Sequence, residues 1–222
     1  MLTRTRLAAV PLAFALCAAI GPARADEAAA NAGKDHVELT FGFLGGERRY
    51  SKMPLAYQSG PGSAALSEPF ESSPYDRVTV LGVRYDLRAV VSHMRMLIGL
   101  DLPYTTFDVQ ASRRTYTVNG QPRQVAVQSV DPYELRFGLG GEYAFGPAVP
   151  FVDVVGAIHW VSTKLVVDQD SVKYGATGFG FAVRAGARMQ LRSWFFVTVS
   201  GEIGLVGPEL WSADVSAGFR VP

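Results

Sequence analysis

The feature that most restricts this chain is a two-residue alternation, renewed repeatedly along its length. In YELRFGLGGEYAFGPAVPFVDVVGAIHW, residues 133–160, the odd positions hold Tyr133, Leu135, Phe137, Leu139, Tyr143 and Phe145. The even positions hold Glu134, Arg136, Gly138, Gly140, Glu142 and Ala144. Successive side chains of a strand point to opposite faces, so a bulky apolar face is backed by one of charge and glycine. After a Gly146-Pro147 break a second alternating run begins. Similar runs cover 36–46, 78–88, 94–102, 178–191, 193–205 and 210–221, which makes about eight strands.

The first residues follow another rule. Arg4 and Arg6 precede an apolar run from Leu7 to Ile20, and Ala23-Arg24-Ala25 is followed by Asp26. This is the pattern of a secretory signal peptide over 1–25, with a short leader over 26–35 and the strands over 36–222. The apolar run is shorter than the roughly 20 residues of a spanning helix. Cys17, the only cysteine, lies within it behind Leu16, so neither a lipid anchor nor a disulfide is expected. Removing Arg4, Arg6 and Arg24 from the 21 basic residues leaves 18 against 20 acidic ones. That balance gives no basic face for a nucleic-acid partner. No later stretch is apolar for long enough to form a membrane helix, so a membrane could be crossed only by strands.

Alternation alone suits two architectures. A soluble barrel turns its apolar face inward around an apolar ligand, and a membrane barrel turns it outward to lipid. Three features favour the membrane. The polar face is rich in Gly, Ala and Ser, which fit the narrow inside of an eight-stranded barrel. Its cations are Arg, while the four lysines, Lys34, Lys52, Lys164 and Lys173, fall outside the middles of the expected strands; planar Arg suits a packed, hydrogen-bonded interior. Aromatics such as Tyr133, Tyr143, Phe145, Trp160, Trp194 and Trp211 gather near strand ends, as in interfacial girdles. With lipid outside, the inward acids are Glu38, Asp101, Glu134, Glu142, Asp153, Glu202 and Asp214, and the inward bases are Arg95, Arg136, Arg184, Arg188 and Arg220. Buried charges must pair, and the two sets are close to balanced.

The connections alternate in length as well. Those at 52–75 and 106–130 are long, the fifth at 168–174 is moderate and polar, and those between them are short. Asn119-Gly120 sits between two β-prone runs in the second long connection, the strongest short hairpin signal, so a ribbon protruding beyond the membrane is expected there.

With these features the chain resembles the small outer-membrane β-barrels of Gram-negative bacteria, the OmpA/OmpX-like eight-stranded group. The resemblance rests on the leader, the strand count, the loop asymmetry, FGPAVPFVDVVGA at 145–157 and the closing WSADVSAGFRV at 211–221. It implies an all-β, closed, antiparallel up-and-down transmembrane β-barrel in the outer membrane. It also implies contact with outer-membrane lipid and lipopolysaccharide, insertion by the barrel-assembly machinery, and a monomer. Members of the group usually end in an aromatic residue, whereas this chain ends Phe219-Arg220-Val221-Pro222. A periplasmic domain of the OmpA type is not expected, because the sequence stops with the last strand.

Little here reads as chemistry. His159 and Ser162 are three apart, hence on opposite faces of a strand, and His159 is expected in the lumen beside Asp153. Asp168-Gln169-Asp170 reads as a solvated acidic tip, too poor in ligands for a metal. No cofactor, metal or catalytic residue is expected. The function expected is non-enzymatic, envelope-structural or surface-interacting through loops 52–75 and 113–127. There Arg113, Arg114 and Arg123 suit lipopolysaccharide phosphates. The alternatives are a narrow or gated small-solute channel and a soluble periplasmic barrel.

Overall fold

The computed structural model describes residues 35–50, 56–59, 77–107, 114–118 and 121–221. The expected signal peptide, nearly all of the leader, most of 52–75 and the Asn119-Gly120 turn lie outside the described residues. The described residues form ten strands: β1 His36–Tyr50, β2 Ala56–Ser59, β3 Arg77–Val91, β4 Met94–Phe107, β5 Arg114–Val118, β6 Gln121–Glu142, β7 Ala148–Val167, β8 Asp170–Gln190, β9 Phe195–Val206 and β10 Glu209–Val221. No described helix is long and apolar enough to cross a membrane.

Eight of these strands close a ring in the order β1-β3-β4-β6-β7-β8-β9-β10, every neighbour antiparallel and β10 returning to β1. A closed ring has no edge, so every strand finds backbone partners on both sides. β5 and β2 stand outside the ring, pairing with the far ends of β6 and β8. The β5–β6 pair runs from Arg114↔Val125 to Val118↔Gln121. It is the ribbon expected across the third connection.

Tight turns set one end of the ring. Ser92 and His93 link β3 to β4 with φ of 48° and 69°, the primed geometry that matches the twist of paired strands. Gly146, at φ 59°, turns the chain from β6 into β7. At the opposite end the walls are uneven. β6, β7 and β8 have 22, 20 and 21 residues, against 12 and 13 in β9 and β10. A tilted strand crosses a bilayer in about 9–11 residues, so about half of each of β6–β8 projects beyond one. The stretch 168–174, expected as a polar loop, is instead a two-residue turn at Asp168-Gln169 followed at once by β8. Asp168 takes the positive φ of 55° that lets the strands continue without a loop.

The same three strands change character at one line. Tyr133 of β6 stands opposite Trp160 of β7, and Trp160 opposite Thr177 of β8. On the turn side of this line the outward residues are apolar: Phe137, Leu139, Val152, Val154, Phe179 and Phe181 are exposed. The inward ones there include Glu134, Arg136, Asp153 and Arg184, all buried. On the far side the faces are exchanged. Val125, Val127, Val130, Val161, Leu165 and Val172 turn inward and join Tyr50, Val78, Val80 and Tyr174 in one apolar core. Gln128, Lys173 and other polar groups turn outward. The lumen is therefore not polar along its whole length, as the alternation at 133–145 taken alone would suggest. Lys164 and Lys173, expected away from the middles of the strands, lie near the adjoining ends of β7 and β8, paired with one another beyond this line.

The physical reason is the surrounding medium. A strand in lipid exposes its apolar face, and the same strand in water must bury it. Val154, 55% exposed and near the middle of the apolar band, gives a direct test. Val154→Arg is expected to destabilise the barrel by about 2–4 kcal/mol, measured by reversible urea unfolding in lipid vesicles. An equivalent exchange at Lys164 should leave stability nearly unchanged.

Candidate functional site: the charged lumen

Inside the apolar band the lumen is filled by two ion clusters, each built on one carboxylate that collects three arginines. The deeper one is centred on Asp101 of β4. Arg84 donates from Nε to Asp101 Oδ1 at 2.8 Å and from Nη2 to Oδ2 at 2.8 Å. Arg136 donates to Oδ1 at 2.9 Å, and Arg48 donates to Oδ2. Each arginine then reaches a second acid: Arg84 meets Asp214 at 2.9 Å, Arg48 meets Glu134, and Arg136 lies 3.4 Å from Glu134 and 3.5 Å from Asp86. Strands β1, β3, β4, β6 and β10 are tied together by this cluster.

The second cluster lies towards the turn end, around Glu38 of β1. Arg88 and Arg220 approach it at 2.7 Å each, and Arg188 donates to it as well. Arg88 continues to Glu142 at 2.8 Å, and Arg95 links Glu142 at 3.7 Å to Asp153 at 3.5 Å. Planar guanidinium forks suit such shared carboxylates better than ammonium groups would. Arg184 donates to Ser200 Oγ at 3.2 Å and stands opposite Glu202 in register. Between the clusters, the Arg95 guanidinium lies 4.0 Å from the centre of the Phe151 ring, with Arg184 at 5.4 Å, contacts favourable to a cation.

Glycine makes the room. A Cβ on Gly99 would come within 2.6 Å of Asp86 Oδ1 and 3.1 Å of Arg136 Nη2. One on Gly46 would collide with Asp214. A cavity remains among Glu38, Asp86, Arg88, Arg95, Arg184 and Arg188, and its volume is about 20 Å³, room for a single water.

The twelve charged residues read from the sequence as inward, Glu38, Arg95, Asp101, Glu134, Arg136, Glu142, Asp153, Arg184, Arg188, Glu202, Asp214 and Arg220, all stand on the inner face. Arg220 is the most exposed of those in ion pairs. Sequence reasoning missed Arg48, Arg84, Arg88 and Glu209. Ending β1 at residue 46 lost Arg48, although Glu38, Thr40, Gly42, Leu44 and Gly46 lead to it in steps of two. On β3 the inward sequence Val78, Val80, Gly82, Arg84, Asp86, Arg88 crosses from the apolar core into the ion cluster, which blurred the alternation. His159 is in the lumen but not beside Asp153: its Nδ1 lies 3.7 Å from Glu134 and 3.8 Å from Glu209.

At the far end, Arg113 lies outside the described residues and Arg114 begins β5. Arg123 on β6 donates to Asp168 Oδ2 at 2.7 Å and to Gln121 Oε1 at 3.4 Å. The Asp168 carboxyl is held below its ordinary range by the Arg123 hydrogen bond, helped by the Gln124 N–H at 3.2 Å. Arg123 is thus the clasp of the β7–β8 turn.

Eight antiparallel strands in a closed up-and-down ring, apolar outside and charged within, are the architecture of the small outer-membrane β-barrels. No protein-family profile and no curated sequence matches the chain. Among solved structures it is similar to the neisserial surface protein A, at 11% identity over 84% of this chain and 98% of that one, with a TM-score of 0.46. It is also similar to Ail, the attachment invasion locus protein of Yersinia pestis, at 10% identity over 83% and 97% of the two chains, with a TM-score of 0.42.

Asp101 is the test of the network. Asp101→Asn leaves Arg48, Arg84 and Arg136 short of one shared counter-charge in a dry interior. It should cost about 3–5 kcal/mol, read as a lower urea midpoint of the micelle-folded protein.

Proposed function

We propose that this protein is a non-enzymatic outer-membrane β-barrel whose lumen is sealed and whose work is done above the membrane, by the projecting wall of β5 to β8. The observation that carries this reading is the exchange of faces at the Tyr133–Trp160–Thr177 line. A soluble barrel around an apolar ligand would keep its apolar face inward along the whole strand. Here it is inward only beyond the line. Outer-membrane lipid and lipopolysaccharide would bathe the band below, and Lys164 and Lys173 would meet head groups or water above it. The projecting wall is a paired sheet with an apolar core, not a set of loose loops, and it offers a rigid surface for envelope contacts or for molecules outside the cell.

Two further observations support the non-enzymatic, non-conducting part. His159 is buried with Glu134 and Glu209, while Ser162 points to the other face, so a local Ser-His pair is not assembled. The lumen holds interlocked ion pairs below an apolar core, and a filled eight-stranded interior leaves little path for solutes. Purified protein in a planar lipid bilayer should therefore give no single-channel steps under applied voltage. Regular, reproducible conductance steps would replace this reading with the gated small-solute channel.

A further inference from the structure

The upper end of the ion network holds a group that the pairing does not satisfy. Glu134 of β6, His159 of β7 and Glu209 of β10 are all buried, and one ligand atom of each lies within 4.8 Å of the other two. β6 and β10 stand on opposite sides of the ring, four strand steps apart, so the three side chains meet across the lumen. They meet where the charged interior gives way to the apolar core: His159 neighbours the line at Trp160, and the edge of the Tyr50 ring packs against its imidazole, centroids 6.3 Å apart.

We propose that Glu134, His159 and Glu209 form a binding site for one divalent transition-metal ion of the zinc class. Three observations converge on it. The first is spacing. His159 Nδ1 is 3.7 Å from Glu134 Oε2 and 3.8 Å from Glu209 Oε2, too long for hydrogen bonds. Donors around a tetrahedral zinc stand about 3.4 Å apart, given metal–ligand bonds of about 2.0–2.2 Å, so the two imidazole–carboxylate edges need contract by only a few tenths of an ångström, and the Glu134–Glu209 edge, within 4.8 Å, would close by movement of the two carboxylates.

The second is satisfaction. His159 Nδ1 and both carboxylate oxygens of Glu209 have no hydrogen-bond partner, although the two side chains are only 3% and 6% exposed. Buried polar atoms are costly when left unmade. The Ser212 hydroxyl, on the same strand, is near enough to the Glu209 carboxyl to interact with it but does not complete a hydrogen bond of good geometry.

The third is charge. Arg48, Arg84 and Arg136 are committed to Asp101, Glu134 and Asp214. Arg48 also faces Glu209, but among the described residues Glu209 has no ion-pair partner within 4.0 Å except His159. A divalent ion would supply the missing charge. One imidazole nitrogen with two carboxylates is a donor set for zinc-like ions, and the all-oxygen sets of calcium and magnesium are unlike it.

Arg48 and Arg136 on Glu134 would act as the outer contacts that fix a ligating carboxylate. Glu209 follows directly on the exposed turn at Gly207, on the lowest wall of the ring, so the site lies one residue from the rim. A bound ion would bridge β6 and β7 to β10 across the lumen.

The test uses untagged protein folded in detergent micelles and stripped with EDTA. It is then titrated with zinc chloride by calorimetry, with metal content measured after dialysis. One zinc per barrel is expected, unaffected by excess magnesium. His159→Gln and Glu209→Gln should each weaken binding at least tenfold while keeping the heat-dependent gel mobility of a folded barrel. X-ray absorption of the zinc-loaded wild type, which needs no variant, should show one imidazole and otherwise oxygen donors. Failure of the wild type to bind stoichiometrically overturns the proposal. So does binding that survives His159→Gln, which would place the ion on His36 or His93, or a first shell without imidazole.

Discussion

A strand that leaves lipid for water must exchange its faces, and this structure is arranged around the place where that happens. In hydrocarbon the backbone can be satisfied only within the protein, so the chain closes a ring, and what surrounds the ring decides what fills it. Below the Tyr133–Trp160–Thr177 line the outside is apolar and the polar residues have nowhere to go but inward. Above it the outside is polar and the valines of β3, β6, β7 and β8 turn in. One backbone thus carries two interiors, stacked end to end.

The lower interior then has to neutralise itself. Eight strands leave room for side chains and little else, so each inward charge needs a partner already present. The solution is sharing: Asp101 and Glu38 each serve three arginines, and most of those arginines serve a second carboxylate. Glycines at 46 and 99 keep the space into which these forks reach. The arrangement ties distant strands to one another across the barrel, which neighbouring backbone ladders cannot do. It stops short at Glu209, which among the described residues no arginine reaches within ion-pair distance.

Most of the architecture was legible because a period of two maps each residue to a face with no structural knowledge. Tyr133 to Phe145 gave both the strand and its orientation, and the richness of the opposite face in Gly and Arg gave the narrow interior. What misled was the assumption that one face keeps one character. On β3 and β7 the inward positions pass from charge to valine, so Arg84 and Arg88 were not counted and residues beyond 168 looked like loop. Arg48 was hidden by placing a strand end at the Gly45-Gly46 pair, where a close approach to Asp214 requires glycine. The partners of His159 were out of reach for a different reason. Glu209 comes from the opposite wall, and only ring closure brings it there.

The exchange of faces is open to direct measurement, since Cys17 is the only cysteine of the chain. Single spin labels would be placed at position 154 and at position 164 of a chain freed of Cys17, and the labelled proteins folded into lipid vesicles. Relaxation by oxygen, which concentrates in lipid, would be compared with relaxation by a water-soluble nickel chelate. The label at 154 should respond to oxygen and be shielded from nickel, and the label at 164 should do the reverse. Nickel access at both positions, or oxygen dominance at both, would contradict the assignment of lipid below the line and water above it.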